Sequence, residues 1–341
     1  MPDPDDRIPA RDEPRGALEE ALHEIKRVIV GQDAMLERLL VSLLAGGHVL
    51  LEGVPGLAKT LTVKTLAQVL GGTFRRVQFT PDLVPADLVG TRIYRPDHGS
   101  FDTELGPIFG NFILADEINR APAKVQSALL EVMQERQVTI GHTTYPVPLP
   151  FLVMATQNPI ESEGTYPLPE AQLDRFLMKI LVDYPTTGEE AAVVGRSLGD
   201  EPDVRERLSL ADLERYAAAT RSVLVDREVI GYAVALADAT RHPSDHGLGD
   251  ITSFIEYGAS PRGPIALVQA ARALAMLRGR GHVTGDDIRD LAADVLRHRL
   301  VLSYDALSEG ITADDLLERV FAAVPGPDAD HLRARSRRAA A

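Results

Sequence analysis

The chain has 341 residues, 45% of them apolar and 25% charged, with a net charge of −14 and no cysteine. This excludes disulfides, thiolate catalysis and cysteine-ligated zinc, and the acidic balance repels nucleic-acid phosphates and anionic lipid. No apolar run approaches the roughly 20 residues of a membrane span, and the start Met1-Pro2-Asp3-Pro4 is unlike a signal peptide, so a cytoplasmic protein of about two domains is expected.

In chain order, residues 1–14 are rich in Pro and Asp and are expected to form a disordered tail. From 15 to 186, helical stretches alternate with five short apolar runs: His48–Glu52, Phe74–Phe79, Asn111–Asp116, Phe151–Thr156 and Phe176–Val182. That alternation predicts an α/β domain with a mostly parallel sheet covered by helices. Two stretches interrupt it. Residues 87–109 carry Gly90, Asp97-His98-Gly99 and Gly106-Pro107, and residues 136–150 surround Gly141-His142; both read as hairpins. A turn-rich hinge is expected at Tyr184–Gly188. Residues 187–324 read as helices alone, among them Leu210–Thr220, Arg227–Thr240, Pro264–Leu277 and Asp286–Arg297. Thr284 and Thr312 each precede a pair of aspartates, which marks them as N-caps. Residues 325–341 are expected to be a second loose tail. His142 is a lone loop histidine, and no His and carboxylate cluster has zinc-ligand spacing.

The chemistry starts at the first apolar run. His48–Glu52 leads into Gly53-Val54-Pro55-Gly56-Leu57-Ala58-Lys59-Thr60, followed by Leu61 and a helix. Strand, Gly-rich turn, Lys-Thr and helix together form a phosphate-binding loop. Backbone N–H groups of Gly56–Thr60 would surround the β-phosphate, Lys59 would reach the β- and γ-phosphates, and the Thr60 hydroxyl would ligate Mg²⁺. Ala58 stands where glycine is usual; alanine tolerates the helical dihedrals expected there. A plain strand-to-helix turn would show a similar pattern, but a second motif follows. Asn111–Asp116 is an apolar strand ending in Asp116-Glu117. Asp116 would hold Mg²⁺ and Glu117 would polarise an attacking water. A third strand ends in Gln157-Asn158-Pro159; Asn158 could serve a phosphate or simply a turn.

These motifs, in this order, resemble the AAA+ ATPases, and more closely their MoxR branch. The resemblance is carried by Ile29–Gln32, Gly53–Thr60, Phe79–Asp87, Leu105–Phe109, Ala115–Pro122, Ala155–Pro159, Leu168–Phe176 and Ala259–Gly263, and covers residues 15 to 323. It accommodates Ala58 in the phosphate loop. It implies an AAA+ three-layer α/β/α core with a five-stranded mostly parallel sheet, then a small helical lid. It also implies that Val30, Gly31 and Gln32 pack the adenine, that Asn158 is sensor 1, and that Arg262 is sensor 2 on the lid. Arg175 resembles the arginine finger reaching a neighbour's γ-phosphate; such charge stabilisation is worth roughly 10³–10⁵ in rate in other NTPases. The two hairpins match the helix-2 insert and the pre-sensor-1 hairpin. ATP and Mg²⁺ are the implied cofactors. A hexameric ring and a von Willebrand factor A domain protein as partner or client are the implied assemblies.

The expected function is therefore ATP hydrolysis in a ring that remodels or assembles client proteins in the manner of a chaperone. An ATPase motor of a metal-chelatase-like complex is the alternative. A nucleic-acid helicase fits less well, because the second hairpin, 137–150, has no Lys or Arg, and the first sets Arg92 and Arg95 against Asp97 and Asp102. A non-hydrolysing switch would lack Glu117 or Arg175. A small-molecule kinase would need an Arg-rich lid in place of the long helical region.

Overall fold

The structure is a computed structural model that describes residues 12–54, 56–97, 99–158, 164–199 and 202–327. Residues 1–11 of the tail expected at 1–14, Pro55, His98, Pro159 and residues 328–341 of the tail expected at 325–341 lie outside the described residues. The first half of the chain runs α1 (Asp12–Val28), α2 (Asp33–Ala45), β1 (Val49–Glu52), α3 (Lys59–Val69), β2 (Phe74–Gln78), α4 (Pro85–Val89), β3 (Gly90–Arg95), β4 (Ser100–Leu105), β5 (Phe112–Asp116), α5 (Ala123–Glu135), β6 (Gln137–Ile140), β7 (Thr143–Pro146), β8 (Leu152–Gln157), α6 (Glu170–Leu173) and β9 (Met178–Leu181). It continues through α7 (Thr187–Ser197), α8 (Leu210–Thr220), α9 (Arg227–Arg241), β10 (Ile255–Tyr257), α10 (Arg262–Leu277), α11 (Gly285–Leu296), β11 (Val301–Leu302), α12 (Tyr304–Glu309) and α13 (Ala313–Ala323).

All five apolar runs become strands of one sheet, ordered β2-β5-β8-β1-β9. The pairs β1–β8, β5–β8 and β2–β5 are parallel. The inner strands β5 and β8 are buried along almost their whole length, as a sheet covered on both faces requires. Edge strand β2 instead leaves Arg75, Arg76 and Gln78 exposed. A core of Leu50, Phe79, Ile113, Ala115, Leu129, Val153 and Phe176 packs one face of the sheet against α5. Truncating any of the larger of these to alanine costs about 2–5 kcal/mol.

Helix α1 begins at Asp12, so residues 12–14 of the expected tail are helical. Pro14 sits in that first turn, where a missing N–H costs nothing.

Contacts divide the chain into two compact units. The sheet unit holds Ala17–Phe176 and Ile180–Glu214. The helical unit holds residues 12–16, Leu177–Lys179 and the chain from Arg215 onward. From 187 the elements are helices except for the short antiparallel pair β10–β11, which corrects the reading of helices alone, and the contact grouping changes only at 215. Buried Glu24 of α1 is the reason. It accepts from Arg207 Nη2 at 2.7 Å and from the Arg205 N–H at 3.3 Å, while the Arg207 N–H donates to Val69 O at 2.8 Å. The 202–209 segment is thereby fastened to α1 and α3.

Both expected hairpins form, as β3–β4 and β6–β7. They stack within the sheet unit: Tyr145 OH donates to Thr103 Oγ1 at 3.1 Å, and a Cβ on Gly141 would come within 2.7 Å of Arg92 Cδ. In the helical unit, Thr284 and Thr312 each accept from the backbone N–H three residues on, and Asp287 and Asp315 reach back to complete capping boxes. Asp287 is fully buried and paired with Arg280, which anchors α11 to the turn before it.

Candidate nucleotide site

Three adjacent parallel strands, β5, β8 and β1, end side by side at the C-terminal edge of the sheet. Their ends carry Asp116-Glu117, Gln157-Asn158 and the Gly53–Thr60 loop respectively. In the loop, a Cβ on Gly53 would lie 2.4 Å from Val182 O, so only glycine fits. Gly56 has φ +87°, and a Cβ there would meet nothing within 4 Å, which leaves open space beside the loop. Lys59 and Thr60 form the first turn of α3. The Lys59 ammonium donates to the Gly53 carbonyl. Burial pushes Lys59 below the usual lysine range, against the pull of Asp116 and Glu52.

Ala58 corrects the sequence reading. Its backbone is left-handed, with φ 54° and ψ 19°, and not right-handed helical. Alanine there costs roughly 1–2 kcal/mol relative to a relaxed backbone, which is why glycine is the usual residue.

The two acids are already engaged by side chains. Asp116 Oδ2 accepts from Arg76 Nη2 at 2.7 Å, and Asp116 Oδ1 accepts from Thr156 Oγ1 at 2.6 Å. Thr156 Oγ1 in turn accepts the Glu117 N–H at 2.8 Å. The Glu117 carboxylate takes Gln78 Nε2 and Arg120 Nε, each at 3.0 Å. Glu117 also has a left-handed backbone, φ 57°. Strain of this kind persists where the surroundings over-determine it, and here the Thr156 hydroxyl does so from the neighbouring strand. Arg76 and Gln78 lie outside the quoted motifs, and Arg120 and Thr156 lie inside Ala115–Pro122 and Ala155–Pro159 without an assigned role. Only Thr156, a lone hydroxyl near the end of an otherwise apolar strand, carries a signal of its own.

The other assigned residues fall as follows. Val30, Gly31 and Gln32 lie between α1 and α2 in the sheet unit. Gly31 has φ +67° and a Cβ there would lie 2.4 Å from Glu189 Oε1; Gln32 donates to Asp183 O at 3.2 Å. Val54, Leu57 and Leu61 complete the loop and the start of α3, with Leu57 buried and Leu61 exposed. Asn158 directly follows β8. Arg175 is exposed and donates to Leu130 O at 3.2 Å. Arg262 opens α10 in the helical unit, its N–H held by Ser260 Oγ at 3.1 Å. The structure thus gathers the loop, Asp116, Glu117 and Asn158 at one sheet edge.

The donor set fits a polyphosphate with a hard divalent cation: loop N–H groups at a helix N-terminus, an ammonium, a hydroxyl and a carboxylate. Among the described residues no group of three His, Cys, Asp or Glu side chains could hold a metal alone. Such a site would need phosphate oxygens to complete it.

The sequence profile of the ATPase family associated with various cellular activities (AAA) matches residues 48–178, and that of the AAA lid domain matches 250–320. Chaperone MoxR1 of Mycobacterium tuberculosis is 56% identical over 91% of this chain and 82% of its own length. Protein MoxR of Methylorubrum extorquens is 33% identical over 89% of this chain and 93% of its own. The chain belongs to the MoxR family of AAA+ ATPases. The crystal structure of a protein assigned as an ATPase from Cytophaga hutchinsonii shares this MoxR-family fold with a TM-score of 0.88 and 48% identity, covering 93% of this chain and 97% of that one. The AAA profile spans every strand-end motif of the site, and the lid profile spans Arg262.

Proposed function

We propose that the protein hydrolyses ATP with Mg²⁺ as a ring-forming assembly and uses the cycle to remodel client proteins in the cytoplasm. The observation that carries this reading is the convergence of the phosphate loop, Asp116-Glu117 and Asn158 at the ends of three adjacent strands. ATP supplies the phosphoanhydride bond, and Mg²⁺ supplies charge neutralisation on its phosphates.

Each residue has a defined task. Loop N–H groups and Lys59 orient the phosphates, and Thr60 and Asp116 hold the cation. Glu117 accepts a proton from the attacking water, and Gln78 and Arg120 both hold its Oε2. Asn158 orients that water or the γ-phosphate, and Arg262 contributes charge from the helical unit. Val30, Gly31 and Gln32 face the base. Arg175 serves the site of the next subunit in a hexamer, so a monomer hydrolyses poorly.

Chaperone activity is supported by the similarity to the M. tuberculosis protein of that name. A von Willebrand factor A domain protein is the partner class we infer. The second hairpin, free of Lys and Arg over 137–150 and stacked on the first, favours a protein client over nucleic acid.

Mixing two inactive variants tests the reading. Arg175→Ala keeps an intact site without a finger, and Lys59→Ala keeps a finger without a working site. Recovery of ATPase activity on mixing is expected. Intact rings by light scattering with no recovery would remove Arg175 from the shared site.

A further inference from the structure

Strand β9 begins three residues after Arg175, at the edge of the sheet beside β1. In a strand, alternate residues point their backbone groups to alternate sides. The Val182 N–H donates inward to Glu52 O at 2.8 Å, so even-numbered residues of β9 face β1 and odd-numbered ones face outward. Leu177 and Lys179 therefore turn their carbonyls away from the sheet. Both are occupied. Arg299 Nη1 donates to Leu177 O at 3.3 Å, and Arg297 Nη1 donates to Lys179 O at 2.7 Å. These bonds accompany the grouping of Leu177–Lys179 with the helical unit.

The two arginines are themselves rigidly held. Arg297 is only 12% exposed, and it donates to Asp294 at 2.5 Å and to Asp314 at 3.0 Å, from α11 and α13. Arg299 is buried, donates also to Val295 O, and lies 2.8 Å from His298 Nε2. Taking two guanidinium groups out of water is costly unless their donors are satisfied. Here the strand's outward carbonyls supply part of that satisfaction, so strand and arginines fix one another.

We propose that Arg297 and Arg299 are positioning residues for Arg175: by fixing the backbone at Leu177 and Lys179 they set where the finger is presented to the next subunit. This rests on the reading of Arg175 as a finger acting between subunits. On the upstream side, Arg175 is braced on α5 through Leu130 O, and its neighbour Gln172 donates to Ser127 Oγ at 3.3 Å. The finger thus hangs between α5 and a stretch of strand that groups with the helical unit.

The complementation assay tests this by asking in which subunit the arginines matter. Arg297→Lys and Arg299→Lys, separately, are placed either in the finger donor (Lys59→Ala) or in the site donor (Arg175→Ala). A lysine keeps the charge but carries its donors on one nitrogen, so at 297 it cannot bond Asp314 through one nitrogen and Asp294 and Lys179 O through another, and at 299 it loses the planar fork that sets Nη1 between Leu177 O and Val295 O. Misplacing a catalytic group by about 1 Å can cost on the order of 100-fold, so recovered activity should fall at least about tenfold in the finger donor and less than about twofold in the site donor. Equal losses in both, or no loss in either, would overturn the proposal and leave the arginines with a structural role. Failure of the parent mixture to recover would instead sink the finger reading. Thermal melting verifies folding, and Arg297→Lys, at the less buried arginine, carries the test if Arg299→Lys does not fold.

Discussion

The two units of this protein distribute backbone strain in opposite ways. In the sheet unit, among the described residues, four residues other than glycine adopt positive φ: Gln32, Ala58, Glu117 and Arg136. Three of them are residues assigned to the candidate nucleotide site. In the helical unit, among the described residues, positive φ occurs only at Gly247, Gly279 and Gly310. The helical unit is instead built from relaxed local devices, such as the capping boxes at Thr284 and Thr312. Chemistry and strain coincide in one unit, and regular packing prevails in the other. A strained residue persists only when its neighbours hold it there, and the contacts of Glu117 with Thr156, Gln78 and Arg120 are such neighbours.

The sharpest way to break this comparison is to remove chemistry while keeping the strained frame. Glu117→Gln preserves shape and loses the basic oxygen. Turnover should fall by on the order of 10²–10⁴, the usual range for a general base, while ATP binding by equilibrium titration stays intact. Undiminished turnover would separate the strain at Glu117 from catalysis.

A smaller effect separates the units by pH. His48, just before β1, is fully enclosed: Nε2 meets Met133 O at 3.0 Å and Nδ1 accepts the Val153 N–H at 3.0 Å. Burial pushes its pKa down to about 4 from 6.5. The folded state therefore favours neutral His48, and the unfolded state binds the extra proton. Stability from this source is complete above pH 6.5 and is lost as pH falls toward 4, by about 3 kcal/mol over the window. In the helical unit, Asp238 is held below the usual range by hydrogen bonds from His246 and His242, and Asp315 by Thr312. Those contributions are present above the ordinary carboxylate pKa and fade only as pH falls below it. Denaturant melts between about pH 7 and 4 should show the early loss, and His48→Gln should flatten it. An unchanged slope in that variant would remove His48 as its source.

The strands, the hairpins and the caps are legible in the sequence because each is written locally. An apolar run between turns, a glycine pair or a threonine before two aspartates carries its own reason. What is illegible lies between strands. Gln78 faces Asp116 through the β2–β5 register, and Thr156 reaches Asp116 only because β8 lies beside β5. No spacing along the chain announces either contact. Likewise, Glu24 and Arg207 are 183 residues apart, and their pairing fastens the 202–209 segment to α1. The handedness of Ala58 escapes the sequence for a different reason: a helix start reads as right-handed unless a glycine signals otherwise, and here that glycine is missing.

Capping gives the helical unit's counterpart. Thr284→Ala should destabilise by about 1 kcal/mol, the ordinary cost of a lost N-cap, with little change in ATP affinity. An affinity loss larger than the stability loss would show that the helical unit is not merely a packed support.

The smallest effect isolates strain itself. Ala58→Gly removes the left-handed penalty of about 1–2 kcal/mol but adds about 0.4–1 kcal/mol of unfolded-chain entropy. The net expectation is stabilisation by about 0.5 kcal/mol. Gly310→Ala in the helical unit is its mirror image. Gly310 has φ +71°, and a Cβ there would meet nothing within 4 Å, so the substitution meets backbone strain without a clash. It should destabilise by a similar amount. The two changes share every term except location, so their sum in thermal melts should lie near zero. If Ala58→Gly stabilises clearly more than Gly310→Ala destabilises, the phosphate loop stores strain beyond the intrinsic alanine penalty. If it destabilises, the loop is tuned to alanine by contacts that a backbone argument does not contain.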